Sequence, residues 1–108
     1  MPKSKTVMGI DFEYTGSLDS GLTVLFKRSK TKQKITPETV NTIRNEITKR
    51  RPVLMGANRK PLVADSVGET LWSEHRVSPQ VMSYVLPLLV EEGFCTVSAG
   101  RPFMIRRS

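Results

Sequence analysis

Apolar and polar positions along the 108-residue chain change their period, and the changes mark out the elements. Ile10, Phe12 and Tyr14 alternate with Asp11 and Glu13, and Leu22, Val24 and Phe26 repeat that spacing around Thr23, Leu25 and Lys27. A period of two predicts a half-buried strand in each place. Residues 16–21, Gly-Ser-Leu-Asp-Ser-Gly, are turn material, so the two strands are expected to pair as a hairpin across a six-residue connection. A lone hairpin is marginal in water and needs helices behind it or a partner chain. The period then lengthens. Val40, Ile43 and Ile47 fall on one helical stripe, with Glu38, Asn41, Arg44, Asn45 and Thr48 around the rest of the turn. Thr36 caps this helix, Pro37 opens it, and Lys49, Arg50, Arg51 and Pro52 close it. Val53, Leu54 and Met55 make a short apolar run suited to a strand.

A second helix is predicted where Ser66 and Glu69 have capping-box spacing ahead of Leu71 and Trp72. A start near Leu62 is the alternative, and Gly68 weakens either version. Ser78 and Pro79 open a third helix, Met82, Leu86 and Leu89 give it a stripe, and Gly93 suits the left-handed residue that ends it. Pro87 predicts a kink or an early stop. Residues 94–98 and 103–105 flank Ala99, Gly100, Arg101 and Pro102, which reads as a hairpin. The third helix is apolar beyond one stripe, at Val81, Met82, Tyr84, Val85, Leu86, Leu88, Leu89 and Val90. Such a helix is buried on more than one side. Either the N-terminal hairpin covers its second face, making it a core helix, or a second protomer does, making it an interface.

Two helices followed at once by a β-ribbon, over residues 66–106, resemble a winged helix-turn-helix. The residues that carry the likeness are Val77, Ser78, Met82, Ser83, Leu86, Leu89, Glu92, Gly93 and Phe94. The resemblance implies an α+β fold: a three-helix winged helix-turn-helix core with a C-terminal β-hairpin wing, over residues 36–108. Residues 1–35 then form an N-terminal β-hairpin extension with a basic loop, and the whole is one compact unit. The resemblance also implies that the third helix enters a major groove, which makes Ser78, Gln80, Val81, Ser83 and Tyr84 candidate readers. Gln80 suits adenine, and Ser83 suits a base or phosphate. Arg101 would reach DNA from the wing tip, with Arg106 and Arg107 behind it. Trp72, His75 and Arg76 depart from the pattern, where a small residue, an apolar one and a turn glycine are usual. Another small α+β domain with a helix and a terminal hairpin fits the same periods.

Charge changes the picture. The net charge is +7 and the isoelectric point about 10.0, which favours a polyanionic partner. Residues 1–61 hold 13 Lys/Arg against 5 Asp/Glu, and residues 62–108 hold 4 against 5, so the surplus lies ahead of the supposed reading helix. Lys27, Arg28, Lys30, Lys32 and Lys34 crowd into eight residues, and an exposed, mobile loop is expected there, as a solvated linker or as a source of phosphate contacts. Lys49, Arg50 and Arg51 complement the helix dipole and are candidate phosphate contacts as well, joined by Arg59 and Lys60. No Arg or Lys occurs from residue 79 to residue 92, which denies the third helix an arginine–guanine contact.

Candidate chemistry is sparse. With one Cys and one His, the chain has no internal disulfide and no metal-ligand set; a reducing cytoplasm is the default, and no metal or cofactor is expected. Cys95 is expected to pack as a small hydrophobe and His75 to be structural or exposed. Residues 85–90 form the longest apolar block, far too short to span a bilayer, and residues 1–7 lack the apolar stretch of a secretory signal. No Gly-rich phosphate loop or Ser/His/Asp grouping suggests an enzyme. The expectation is a small basic protein that binds nucleic acid, DNA before RNA, as a homodimeric transcriptional regulator or accessory factor. A protein-interaction module and an RNA- or ribosome-associated protein are the rivals.

Overall fold

The computed structural model describes residues 3–6, 9–26, 30–50, 52–57, 62–98 and 103–108. Among these, three helices and two antiparallel sheets make an α+β architecture. The first sheet is a meander of β1 (Lys3–Lys5), β2 (Asp11–Ser17), β3 (Gly21–Phe26) and β4 (Thr31–Ile35). The hairpin expected from the period of two is β2 with β3, in register from Glu13 opposite Leu25 to Ser17 opposite Gly21. Its connection is tighter than expected: only Leu18, Asp19 and Ser20 lie outside the ladder, and the Ser17 hydroxyl accepts the Ser20 N–H at 3.1 Å. Ile10 falls outside the strand and is 63% exposed.

One expectation about this region is corrected, and one strand goes beyond what the periods predict. Lys3–Lys5 is a strand paired with β2, with Ser4 buried between the two lysines. The second half of the basic stretch is likewise a strand: Thr31–Ile35 pairs with β3 from Leu22 to Phe26. Like charge did not prevent this, because alternation sends Lys32 and Lys34 to solvent while Ile35, 2% exposed, anchors the strand in the core. Lysines on an edge strand also discourage pairing with foreign chains.

The helices follow their caps. In α1 (Pro37–Lys49) the Thr36 hydroxyl accepts the Thr39 N–H at 3.2 Å, and Val40, Ile43 and Ile47 are fully buried. Helix α2 (Val67–His75) begins at the Ser66 cap, not near Leu62: Ser66 Oγ accepts the Glu69 N–H at 3.0 Å, and Glu69 Oε1 accepts the Asp65 N–H at 3.2 Å. Gly68, read as a weakness, has a packing reason. A Cβ there would overlap the carbonyl oxygen of Gly56, whose neighbour Met55 accepts the Gly68 N–H at 3.2 Å. Arg76 takes a left-handed conformation, φ 55°, where the resemblance expects glycine.

A 3-10 turn, Pro79–Val81, leads into α3 (Met82–Glu91). The helix does not stop at Pro87. An interior proline costs about 3 kcal/mol, whereas burying each of Leu86, Leu88 and Leu89 contributes about 1.5–3 kcal/mol. It ends at Gly93, φ 80°, where the Phe94 N–H reaches Leu89 O and the Gly93 N–H reaches Val90 O, both at 3.0 Å.

The second sheet has the order β5 (Val53–Leu54), β7 (Met104–Arg107), β6 (Cys95–Val97). Helix α1 touches β3 and β7, and α3 touches β1 and β6, so the helices join the two sheets. Phe12, Leu22, Val24 and Ile35 of the first sheet share one core with Ile43, Leu71, Met82, Leu86 and Ile105.

Candidate nucleic-acid interface

Register sorts the first sheet into two faces, since residues directly opposite each other point the same way. Phe12, Leu22, Val24 and Ile35 face the helices, with Tyr14 and Phe26 partly buried beside them. Lys3, Lys5, Asp11, Glu13, Thr15, Thr23, Leu25, Lys32 and Lys34 make the outward face. Lys3 lies 3.9 Å from Glu13, and Lys5 sits opposite Asp11, so the β1 side of this face is close to neutral. Lys32 and Lys34 are exposed and make no ion pair among the described residues. Lys30, exposed at φ 55° in the connection ahead of β4, is in the same condition.

The other sequence-predicted cations are placed differently. Lys49 and Arg50 lie at the far end of α1, about 20 Å along the helix from β4. Arg50 is spent internally: it reaches Glu46 Oε1 at 2.9 Å and donates to Thr70 Oγ1 at 3.0 Å. The Thr70 hydroxyl donates in turn to Glu46 at 3.1 Å, so the buried carboxylate ties α1 to α2. Lys49 is 72% exposed and only 3.9 Å from Glu46. Lys27, Arg28, Arg51, Arg59, Lys60 and Arg101 lie outside the described residues.

Helix α3 is poorly placed to read bases. The Tyr84 ring packs edge-on against Phe12, centroids 5.2 Å apart, and against Phe26 at 5.5 Å, and burial raises its hydroxyl pKa above the usual value. Tyr84 is therefore a seam residue between α3 and the first sheet and does not project toward a groove. At the far end of the same helix, Ser4 Oγ donates to Glu91 at 2.8 Å. Ser78 caps the following turn, accepting the Gln80 N–H at 3.4 Å, and Ser83 is half-buried. Of the five reader positions, Val81 is buried and Gln80 alone is exposed. The N-terminal sheet supplies the second cover that the excess of apolar residues on α3 demanded, so that excess no longer calls for a second protomer.

Sequence reasoning passed over Lys3 and Lys5; a three-residue Lys-Ser-Lys alternation with no apolar member gave too little signal. It also passed over Arg44, which pairs with Glu92 at 2.7 Å and with Asp19 at 3.7 Å, lies 5.4 Å over the Phe94 ring, and keeps a buried Nε without a hydrogen-bond partner. Arg107, by contrast, is a structural cation: its guanidinium is 3.9 Å from the Phe94 centroid and donates to Phe94 O at 2.7 Å. Cys95 is buried, and burial pushes its thiol up to about 11, with Arg107 lowering and Glu92 raising it to a lesser degree. His75 is exposed. No helix among the described residues is long and apolar enough to cross a membrane.

Comparison with protein-family models, with curated proteins and with solved structures found no match.

Proposed function

We propose that this chain is a small winged-helix protein that binds nucleic acid, DNA before RNA, through the phosphate backbone, as an accessory factor or regulator of transcription. One observation carries the reading: Lys30, Lys32 and Lys34 are exposed, close in sequence and uncancelled by any ion pair among the described residues. A cluster of that kind attracts a polyanion and releases its counterions on contact. The winged-helix part is supported by the order helix, short strand, helix, helix, strand, strand over residues 37–107, with the short strand β5 joined to β7. Weak base reading is part of the proposal, because the Tyr84 ring is packed against Phe12 and Phe26 and α3 carries no cation.

The rival reading, a protein-interaction module docking through an apolar α3, loses its surface: on that helix only Val90 is an exposed large hydrophobic, at 39%. Titration of random-sequence duplex DNA at two salt concentrations tests the proposal. Affinity should fall steeply between 50 and 200 mM salt, on the order of tenfold or more if three phosphates are contacted. Absence of binding at the lower salt would refute it.

A further inference from the structure

We infer that the grip is made by the outward face of β4, backed by β3, and that its ligand is the phosphate backbone of duplex DNA; this deepens the nucleic-acid reading above and rests on it. Lys32 and Lys34 are two residues apart on one strand, so their attachment points lie about 6.6 Å apart. Phosphates advance about 3.4 Å along the axis per nucleotide of one strand, so the pair spans about two of them, and Lys30 extends the row.

The row keeps its charge because of what lies beside it. Strand β3, Gly-Leu-Thr-Val-Leu-Phe, contains no charged residue. The nearest acidic residues of the sheet, Asp11 and Glu13, are on β2, two strands or about 9.6 Å away, and Glu13 is turned to Lys3. Among the described residues no strand pairs with the other flank of β4, which is the edge of the sheet. The row thus meets solvent as a positive edge.

The neighbours also select the form of the ligand. Proteins that hold single strands stack bases on exposed aromatic rings. On this sheet Phe12, Tyr14 and Phe26 all belong to the inward face, with Phe12 and Phe26 against Tyr84, while the outward face between the cation rows offers Thr15, Thr23 and Leu25. A double helix, gripped from outside, needs no such ring. B-form DNA offers such a grip one charge per about 1.7 Å of axis, and duplex RNA, whose A-form geometry differs, is the comparison that tests the choice.

Fluorescence anisotropy with a labelled 20-base-pair duplex, across 50 to 200 mM salt, tests this on the intact chain. The variant K30Q/K32Q/K34Q should keep the wild-type melting temperature, since all three side chains are exposed, and lose about 2.7 from the slope of log affinity against log salt. The reversal K30E/K32E/K34E should weaken binding at least tenfold at the lower salt, and Q80A/S83A should bind within twofold of wild type. Wild-type slope and affinity in the lysine variants would overturn the assignment to β4 while leaving the nucleic-acid reading intact. No binding by the wild type would overturn that reading itself. Tighter binding, by tenfold, to single-stranded DNA or to duplex RNA of equal length would overturn the choice of duplex DNA.

Discussion

The two sheets of this protein are both small, both antiparallel, and both laid against α1 and α3, but they dispose of their cations in opposite ways. In the second sheet Arg107 is folded onto Phe94 and bonded to a backbone carbonyl, so its charge serves packing. In the first, Lys32 and Lys34 stand on an edge with an uncharged strand behind them, and nothing among the described residues absorbs their charge. Net charge does not say where a polyanion would sit. What decides it is whether a cation has a neighbour already competing for it.

That contrast predicts a clean separation: changes beneath or beyond the first sheet should alter stability and leave DNA affinity alone. The largest effect is expected from Gly68→Ala. Its Cβ would collide with backbone at Gly56, which cannot swing aside as a side chain does, so a loss of about 3 kcal/mol or more should appear in urea unfolding. Should G68A unfold at the wild-type midpoint, the close approach of α2 to that loop is wrong.

Tyr84→Ala sharpens the comparison at the seam. Losing a half-buried ring that touches Phe12 and Phe26 should cost about 2 kcal/mol, below the range for a fully buried Phe. The folded variant should still bind duplex DNA within twofold of wild type. A tenfold loss of affinity in folded Y84A would return α3 to the role of reader and erase the contrast between the sheets.

The smallest expected effect is alkaline. The Cys95 thiol holds its proton to about pH 11 when folded, against 9.0 for an unburied thiol, so between those two values the unfolded chain releases a proton that the folded chain keeps. Cys95 therefore contributes nothing to pH dependence below pH 9 and lowers stability as pH rises from there toward 11, by up to about 1.4 kcal/mol per pH unit. Tyr84, also raised, acts in the same direction. Unfolding of C95A measured from pH 8 to pH 10.5 should show a shallower alkaline decline than wild type, whatever its absolute stability; an identical slope would show that the thiol titrates normally.

Much of this fold was legible because caps and periods agreed. Thr36 with Pro37, Ser66 with Glu69, and Gly93 each mark a helix boundary that the backbone respects. What stayed hidden lacked a local signal. Strands β1 and β4 carry lysines at alternate positions and little else, so their order comes from pairing with β2 and β3, which a linear pattern does not report. The candidate site was half legible for the same reason: the lysines were evident as charge, but not as one face of a strand. The resemblance makes Tyr84 a groove contact, and helical periodicity does not correct it, because it shows how many sides of α3 are apolar and not which element covers each. Arg50 looked free because Glu46, four residues earlier, gives no hint in sequence that it is buried.

Strand β4 ends at Ile35, which is locked in the core, and Thr36 immediately caps α1. No pliable linker separates the lysine row from the helical body. Force applied at Lys32 and Lys34 would pass straight into α1, and from there through Glu46 to α2. If the proposed complex forms at that edge, the protein meets the double helix as a stiff lever, and the bending falls to the DNA.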